Sequence, residues 1–260
     1  MEIIRTYGNI IKKYAPDYPL AAFRMIKAGL ALEQFRSRNL ADKKLPGAYQ
    51  YLNTYAVGEV LEALKHPETS VWANIFAPVE LLVRQANDQP AGPKISIVVP
   101  LYNTPLDFLE ELLDSVVNQT YRNWELCMVD AGQDADVGVL VQERARTDSR
   151  IRYRKLDSNE GIAGNTNQGF AMVKGDYVAL LDHDDILHPC ALWYVAQAIA
   201  EQGADFVYTD EVTFEGDIDH LTVYHFKPDY MLDNLRSNNY ICHLTVFSRA
   251  LMERAGGGER

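Results

Sequence analysis

The sequence predicts an α/β fold in which a mostly parallel central sheet is flanked by helices and follows an N-terminal helical segment. Apolar, β-branched runs alternate with amphipathic stretches after residue 93, whereas residues 1–86 show helical periodicity without strand alternation. The polar stretch 87–93, rich in Pro and Gly, separates these two parts. We therefore expect an N-terminal helical region over residues 1–90 and a sheet domain over residues 91–260.

Proline and glycine divide the N-terminal region into helical segments. Proline cannot continue a helix, and the residue before it avoids the helical conformation. Breaks are therefore expected at Pro16, Pro19, Pro46-Gly47 and His66-Pro67. The predicted helices are Ile3 to Tyr14, Leu20 to Asn39, Ala48 to Lys65, and Val71 or Val79 to Ala86.

Each apolar run of the sheet domain has the length of a buried strand, and each stretch after it has helical periodicity. Parallel strands need such crossover connections, which are usually helices. A further helix is expected after Tyr230. The predicted elements are strand Ile95 to Val99, helix Leu106 to Asn118, strand Trp124 to Val129, helix Val137 to Thr147, strand Ile151 to Lys155, helix Gly161 to Val173, strand Tyr177 to Leu181, helix Pro189 to Gln202, and strands Phe206 to Thr209 and Leu244 to Phe247.

The charge of the chain is distributed unevenly. The net charge is −11 overall, with +2 on residues 1–90 and −13 on residues 91–260. An acidic domain is a poor general surface for nucleic acid, whose phosphates need Lys and Arg. We therefore expect no nucleic-acid partner, and a substrate that carries phosphates would need a bridging cation.

The cysteines and the hydropathy bear on the compartment. Cys127, Cys190 and Cys242 are widely spaced, odd in number and without the pair spacing of zinc or redox motifs, which fits a reducing cytoplasm. No stretch approaches the roughly 18 apolar residues of a membrane-spanning helix. Residues 1–44 carry nine Lys/Arg against four Asp/Glu on segments with helical periodicity. Such a face fits peripheral contact with the inner face of a membrane, or a solvated helix face packed on its neighbour.

Acidic residues crowd together at the end of the fourth predicted strand. Asp182-His183-Asp184-Asp185 directly follows an apolar run that is typical of a buried strand. Carboxylates this close repel one another unless they are protonated or share a cation, and a hard divalent ion with oxygen ligands is the usual solution. The alternative is that these aspartates cap the next helix, whose first turn suits Pro189.

Polar residues also follow the other three strands of the predicted parallel sheet. In such a sheet, ligands bind outside the carboxyl ends of the strands. We therefore expect these segments to meet the acidic cluster at one edge of the sheet. They are Pro100 to Asn103, Asp130 to Gly132, and Asp157 to Gly161.

Three segments stand out by their order and spacing: Ile97 to Asn103, Gln119 to Glu125 followed by Val129-Asp130, and Leu181 to Asp185. With them, residues 94–186 resemble the nucleotide-sugar-binding half of glycosyltransferase family 2, whose members have the Rossmann-like GT-A fold. Gly161 to Gly169 is a further family-like segment. The chain is most similar to bacterial rhamnosyltransferase-like enzymes of surface polysaccharide synthesis.

The resemblance implies a site for a nucleoside-diphosphate sugar. Pro100, Tyr102 and Asn103 are implied as the wall for the base of a UDP- or dTDP-linked sugar, and Asp130 as an acceptor of hydrogen bonds from base or ribose. Many family members have a second Asp where this chain has Ala131, so the choice between uracil and thymine does not carry over. Tyr102 has the alternative of being a partly buried aromatic residue.

The segment before the fourth strand is implied to pass near the base and the diphosphate. Asn159, Gly161 and Asn167 match the family's loop and helix start, where free N–H groups favour phosphate. Thr166 stands where many relatives have Arg, so a cationic contact is missing. The alternative is that these Gly and Asn residues serve turn geometry only.

Within the acidic cluster, the family pattern assigns Asp182 to the ribose or sugar side and Asp184 to the metal, with Asp182 beside it and Asp185 in support. A Mn²⁺ or Mg²⁺ ion there would bridge both phosphates and stabilise the charge on the departing nucleoside diphosphate. His183 lies on the nucleotide side, and we interpret it as a variable position rather than a ligand.

Two later segments are implied at the sugar and acceptor site, together with Asp185. Asp210 follows a further predicted strand, and Asn239 to His243 resembles the loop that floors this site in the family. His243 is therefore a candidate for a polar contact to sugar or acceptor, with a purely structural histidine as the alternative.

The resemblance implies metal-dependent, inverting transfer of a sugar to a hydroxyl of a glycan or lipid-linked acceptor. The family's general base, an Asp or Glu on a helix after a segment such as Gly256-Gly257, is expected beyond Arg260, so we expect this sequence to be part of a longer chain. The first alternative is a nucleotide-sugar-binding module without turnover. The second is a nucleotidyltransferase. Against it, this sequence has no Gly-rich loop with Lys or Arg after the first strand to hold a triphosphate.

Overall fold

A computed structural model of the chain describes residues 79–216, 218 and 220–256. The helices predicted before Val79 and the basic face of residues 1–44 lie outside the described residues. The chain divides into two units, of which one comprises residues 80–213 and 223–260 and contains the sheet. The boundary predicted in residues 87–93 stays a prediction.

The strands and helices follow the predicted alternation. Two short strands, β6 and β7, and a last helix, α7, had no sequence prediction. In chain order along the described residues, the elements are α1 Val79–Asn87, β1 Ile95–Leu101, α2 Leu106–Val117, β2 Trp124–Asp130, α3 Ala135–Thr147, β3 Ile151–Lys155, α4 Gly161–Phe170, β4 Tyr177–Leu180, α5 Ala191–Gln202, β5 Phe206–Tyr208, β6 Glu211–Phe214, β7 Leu221–His225, α6 Leu232–Ser237, β8 Thr245–Ser248 and α7 Arg249–Arg254.

Six strands form one sheet in the order β3-β2-β1-β4-β8-β5. The pairs β1–β2, β1–β4 and β2–β3 are parallel, whereas β8 runs antiparallel to its neighbours β4 and β5. β6 and β7 form a separate two-stranded sheet. This architecture confirms the predicted α/β class with a mostly parallel central sheet, and it adds the antiparallel strand β8.

Alternate residues of the strands supply two apolar layers, because successive side chains of a strand point to opposite faces. On one face, Ile97, Val99 and Leu126 pack with buried residues of α2, α3 and α5. On the other face, Val98 and Cys127 pack with Met172, next to Phe170 at the end of α4 and Met252 of α7. The sheet is therefore covered on both sides, and its strand ends are left for the loops.

The polar stretch after α1 lies against the sheet domain through hydrogen bonds. Gln89 Nε2 donates to the backbone oxygen of Thr120 at 2.8 Å, and Trp193 Nε1 donates to that of Asp88 at 2.7 Å. Residues 88 and 89 are thus fixed on the loop before β2 and on α5. Among the helices of the described part of the chain, none is both long and apolar enough to cross a membrane.

Candidate functional site

The parallel strands end side by side at one edge of the sheet. Leu101 at the end of β1 pairs with Asp130 at the end of β2, and Asp130 pairs with Lys155 at the end of β3. On the other side of β1, Val98 pairs with Leu180 of β4. The residues that follow these strands therefore lie along one edge, as the sequence predicts for a ligand site.

The acidic turn Asp182 to Asp185 leads into a segment that α2 and its following loop hold in place. Gln119 Nε2 donates to the backbone oxygen of His188 at 2.8 Å, and Gln119 Oε1 accepts from the backbone N–H of Leu192 at 3.0 Å. Helix α5 begins at Ala191 with Cys190 at its N-cap position. The aspartates therefore do not cap this helix, and the capping alternative does not account for them.

Strand β8 brings His243 to the acidic turn. Because β8 is antiparallel to β4, with Thr245 paired to Leu180, the residues before β8 lie beside the residues after β4. His243 Nε2 is 3.5 Å from Asp182 Oδ2, and its Nδ1 is 3.6 Å from Asp185 Oδ2. One ligand atom of each of the three residues lies within 4.8 Å of the others, a spacing that can hold a metal ion.

Asp185 is the least satisfied carboxylate of this group. Its Oδ2 is buried and accepts no hydrogen bond from the residues that the structure describes. Burial raises the pKa of Asp185, the charges of Asp184 and Asp182 raise it further, and His243 partly opposes them. A cation at this point would therefore offset the cost of burying the negative charge of Asp185 and its repulsion by Asp182 and Asp184.

The structure places Asp184 outside the group that contains Asp182, Asp185 and His243. Asp184 is exposed on the same turn, while His183 between the aspartates is half-buried. His183 Nδ1 has no hydrogen-bond partner within the described part of the chain. The assignments of Asp184 to the metal and of His183 to the nucleotide stay predictions.

The carboxylate of Asp130 accepts three hydrogen bonds from its neighbours. Its side chain is 1% exposed, and its Oδ2 accepts from the Tyr153 hydroxyl at 2.7 Å and from Lys155 Nζ at 2.9 Å. Its Oδ1 accepts from the backbone N–H of Gly132 at 2.8 Å. Burial and the bond to Asp130 raise the pKa of Tyr153. Tyr153 and Lys155 were not predicted as site residues, although their alternation along β3 placed them on one face next to the end of β2.

The residues implied as the wall for the base lie at the end of β1. Pro100 is half-buried, whereas Tyr102 is 46% exposed and Asn103 is exposed. Asn103 has a positive φ of 51°, which Asn tolerates better than most residues, and the chain turns there. Tyr102 is therefore open to solvent at this edge of the sheet, and its role in binding a base stays a prediction.

The turn into α4 uses the asparagines that the sequence singles out. Asn159 Oδ1 accepts from the backbone N–H of Gly161 and from Asn165 Nδ2, each at 2.9 Å. Gly161 has a φ of 77°, which glycine adopts without a steric penalty. Turn geometry thus accounts for Asn159 and Gly161, while Asn167 is half-buried on the helix. Buried Asn165 completes the turn and was missed by the sequence analysis.

Asp210 lies after β5, next to the loop that carries His243. Its Oδ1 accepts from the backbone N–H of Lys227 at 2.7 Å. The backbone N–H of Thr209 donates to the backbone oxygen of Leu244 at 3.2 Å, which joins the end of β5 to the start of β8. The structure therefore places Asp210 and His243 on neighbouring segments, as expected for one site.

A mostly parallel sheet that carries an acidic turn after β4, a tyrosine after β1 and an aspartate at the end of β2 along one edge fits the class of GT-A glycosyltransferases. The comparison with known families agrees with this. Residues 96–256 match the family model of Glycosyl transferase family 2. The chain belongs to this family, which confirms the resemblance drawn from its three motifs.

Two curated relatives illustrate the similarity. An uncharacterized protein, y4gI of Sinorhizobium fredii, is 41% identical over 167 residues, which is 64% of this chain and 18% of the relative. The O-antigen biosynthesis protein RfbC of Myxococcus xanthus is 38% identical over 167 residues, which is 64% of this chain and 13% of the relative. The chain therefore spans less than a fifth of the length of either protein.

A solved structure shares the fold. The crystal structure of S. aureus TarS 1-349 in complex with UDP-GlcNAc superposes with a TM-score of 0.53 at 23% sequence identity. The match covers 63% of this chain and 47% of the TarS chain. At this level of identity the similarity supports the GT-A fold alone.

Proposed function

We propose that this chain carries the donor-binding site of a metal-dependent, inverting glycosyltransferase. In the proposed reaction, a sugar passes from a UDP- or dTDP-linked donor to a hydroxyl of a glycan or lipid-linked acceptor in surface polysaccharide synthesis. The observation that carries the proposal is the group of Asp182, Asp185 and His243 at the carboxyl edge of the sheet, in a chain of glycosyltransferase family 2.

The residues of this group fit a divalent cation. Asp185 supplies a buried oxygen that accepts no hydrogen bond from the described residues, and Asp182 and His243 supply further ligand atoms. Two carboxylates with one imidazole suit Mn²⁺ better than Mg²⁺, which prefers oxygen ligands only. When bound, such an ion neutralises a diphosphate and stabilises the charge of the leaving group. Asp184, on the same turn, is proposed as an additional ligand.

The other residues at the edge of the sheet are proposed to bind and orient the donor. Pro100 and the exposed Tyr102 form the wall for the base, together with Asn103. We propose that Asp130, which accepts three hydrogen bonds from its neighbours, uses its remaining acceptor capacity for the base or ribose. Toward the diphosphate, we propose contacts from Asn159, Gly161 and Asn167, and from His183. At the sugar and acceptor we propose Asp185, Asp210 and His243.

We also propose a cytoplasmic location, with peripheral contact of the N-terminal region at the membrane. The three cysteines are free thiols, which fits a reducing compartment. The excess of Lys and Arg in residues 1–44 fits attraction to anionic lipid headgroups. A lipid-linked acceptor would be reached from that surface.

Titration calorimetry with UDP and dTDP, with and without Mn²⁺, tests the proposal. We expect Asp182→Asn, Asp185→Asn and His243→Ala each to weaken Mn²⁺-dependent nucleotide binding by at least about tenfold, because each removes either a negatively charged ligand or the imidazole ligand. Asp184→Asn reports whether the exposed aspartate takes part. Asp176→Asn is the matched control, since Asp176 is exposed just before β4, at the opposite edge of the sheet. Nucleotide binding that does not depend on the metal, or that is unchanged in all ligand variants, would contradict the proposal.

A turnover assay separates an enzyme from a binding module. With UDP- and dTDP-sugars and a glycan or polyprenyl-linked acceptor, an enzyme releases nucleoside diphosphate in proportion to product. Metal-dependent nucleotide binding without release of nucleoside diphosphate would favour the binding module.

A further inference from the structure

Lys227 is a buried lysine next to the candidate metal site. Its side chain is 2% exposed, although it carries an ammonium group. Burial of such a charge is costly unless hydrogen bonds and an opposite charge compensate it.

The Lys227 ammonium contacts the loop that contains His243 and the start of β6. Nζ donates to the backbone oxygens of Ile241 and His243, and it forms an ion pair with Glu211 Oε2 at 3.0 Å. Two of its N–H groups thus donate to backbone oxygens, and the nearby carboxylate of Glu211 compensates its charge. The side chain thus joins the start of β6 to the loop that precedes β8.

The partners of Lys227 are fixed in turn. Glu211 Oε1 lies 2.8 Å from His225 Nδ1 on β7, and the backbone N–H of Lys227 donates to Asp210 Oδ1 at 2.7 Å. Burial raises the pKa of Glu211, but the hydrogen bonds from His225 and Lys227 outweigh it and hold that pKa below its ordinary value. Glu211 is therefore an ionised counterion for the ammonium at neutral pH.

We propose that Lys227 is a positioning residue that holds the 241–243 loop so that the His243 ring faces Asp182 and Asp185. The inference rests on the proposed function, because it concerns the metal site of that function. Lys227 touches neither the ion nor the donor. Its Nζ donates to the backbone oxygen of His243, while the imidazole nitrogens of the same residue lie near the carboxylates of Asp182 and Asp185.

Removal of the ammonium leaves the backbone oxygens of Ile241 and His243 without this donor. Glu211 loses its ion pair with Lys227 and keeps its contact with His225. The loop keeps the bonds of Thr209 Oγ1 to the backbone N–H of Leu244 and of Thr245 Oγ1 to the backbone oxygen of Cys242. The backbone oxygen of His243 itself, however, loses its bond to Lys227, and we expect the imidazole to lose its alignment with the two carboxylates. Loss of a partner that orients a metal ligand typically weakens metal binding by about 10- to 100-fold. A merely structural lysine would lower the melting temperature and leave metal affinity unchanged.

The test compares Lys227→Met with Lys94→Met in the protein with all its other residues unchanged. Lys94 is the matched control, because its Nζ also pairs with a buried carboxylate, Glu125 Oε2 at 3.1 Å, but at the start of β1. Free Mn²⁺ measured by electron paramagnetic resonance gives the Mn²⁺ dissociation constant, and a thermal melt gives stability. We expect about 10- to 100-fold weaker Mn²⁺ binding in Lys227→Met. Lys94→Met is expected to melt at a lower temperature with unchanged Mn²⁺ binding.

A double variant shows whether Lys227 acts through His243. If it does, Lys227→Met together with His243→Ala binds Mn²⁺ as weakly as His243→Ala alone, because the two changes remove the same contact. Additive losses would overturn the inference. If Lys227→Met does not fold, Glu211→Gln replaces it; this variant keeps the ammonium and removes its counterion. We then expect a several-fold loss of Mn²⁺ affinity, and an unchanged affinity would overturn the inference.

The two proposals fail in different ways. If the unaltered protein binds no Mn²⁺ at this site, with or without UDP, the proposed function fails. If the unaltered protein binds Mn²⁺ and Lys227→Met binds it with the same affinity, only the role of Lys227 is overturned.

Discussion

Two carboxylates of this domain have opposite environments. Glu125, at the start of β2, is 2% exposed, and burial raises its pKa, but hydrogen bonds from Ser96, from the backbone N–H of Lys174 and from Lys94 outweigh burial and lower it. Asp185 Oδ2 accepts no hydrogen bond from the described residues, and burial raises the pKa of Asp185. Glu125, with its hydrogen-bond donors, stabilises the fold, whereas Asp185 is the carboxylate that we propose to bind the cation.

The donors of Glu125 make it a test of this distinction. Ser96 Oγ and the backbone N–H of Lys174 each donate to Glu125 Oε1 at 2.6 Å. Because the pKa is lowered in the folded state, the ionised group contributes stability at pH values above its unfolded pKa of about 4.5. That contribution is lost as the pH falls through the lower folded value.

We therefore expect Glu125→Gln to reduce the free energy of unfolding by about 1–3 kcal/mol at pH 7, because the amide leaves the buried donors poorly paired. Denaturation with urea at a series of pH values measures this difference. It should shrink as the pH is lowered below about 4.5. A difference that stays constant from pH 7 to pH 3 would contradict the role given to the charge.

Single residues were predicted unevenly from the sequence. The acidic turn and the ends of β1 and β2 were recognised because strand ends and clustered carboxylates are local patterns. The partners of Asp130 were missed, because Tyr153 and Lys155 meet it only through the register of β3 on β2. Lys227 was missed as well, because nothing in the sequence distinguishes a buried lysine from an exposed one.

Helix α4 lies unusually close to the sheet. A Cβ atom at Gly169 would come within 2.4 Å of Val98 Cγ1, on a strand whose side chains are buried. Val98 is β-branched, so its χ1 is restricted and its side chain has few rotamers that would avoid this contact. The approach of α4 to β1 therefore depends on glycine, and this packing sets where the start of α4 lies at the edge of the sheet.

Gly169→Ala should therefore destabilise the domain by about 1–3 kcal/mol, since overpacking outweighs the gain in helix propensity from alanine. Thr166→Ala, on the same helix, is the control. Its hydroxyl donates only to the backbone oxygen of Ile162, and we expect a change within about 0.5 kcal/mol. Thermal or urea denaturation measures both variants. A Gly169→Ala protein as stable as the unaltered one would show that the contact relaxes without cost.

The order of strands and helices could be predicted, but the position of β8 in the sheet could not. The alternation of apolar runs and amphipathic stretches is local, so β1 to β4 and their helices were identified within a few residues. The insertion of β8 between β4 and β5 depends on pairing over more than 60 residues of chain, as in the pair of Leu180 with Thr245. That pairing brings His243 to Asp182, and sequence periodicity contains no information on it.

At the level of the complete domain, the proposed function requires an acidic protein to bind a ligand that is also acidic. Residues 91–260 carry a net charge of −13, and the sheet edge concentrates carboxylates at the end of β4. A divalent ion would reduce the repulsion between the two, because it is attracted both by the carboxylates and by phosphate. The rest of the fold serves this arrangement by fixing the strand ends and the loop of His243.

Anomalous diffraction from crystals of the protein with UDP and Mn²⁺ locates the ion itself. We expect one strong manganese peak. The ion should lie about 2.0–2.4 Å from carboxylate oxygens of Asp182 and Asp185, from a His243 ring nitrogen and from the diphosphate. The nucleotide base should lie on Tyr102. UDP bound at this edge of the sheet without manganese, or manganese bound away from the acidic turn, would contradict the proposed metal-dependent donor site.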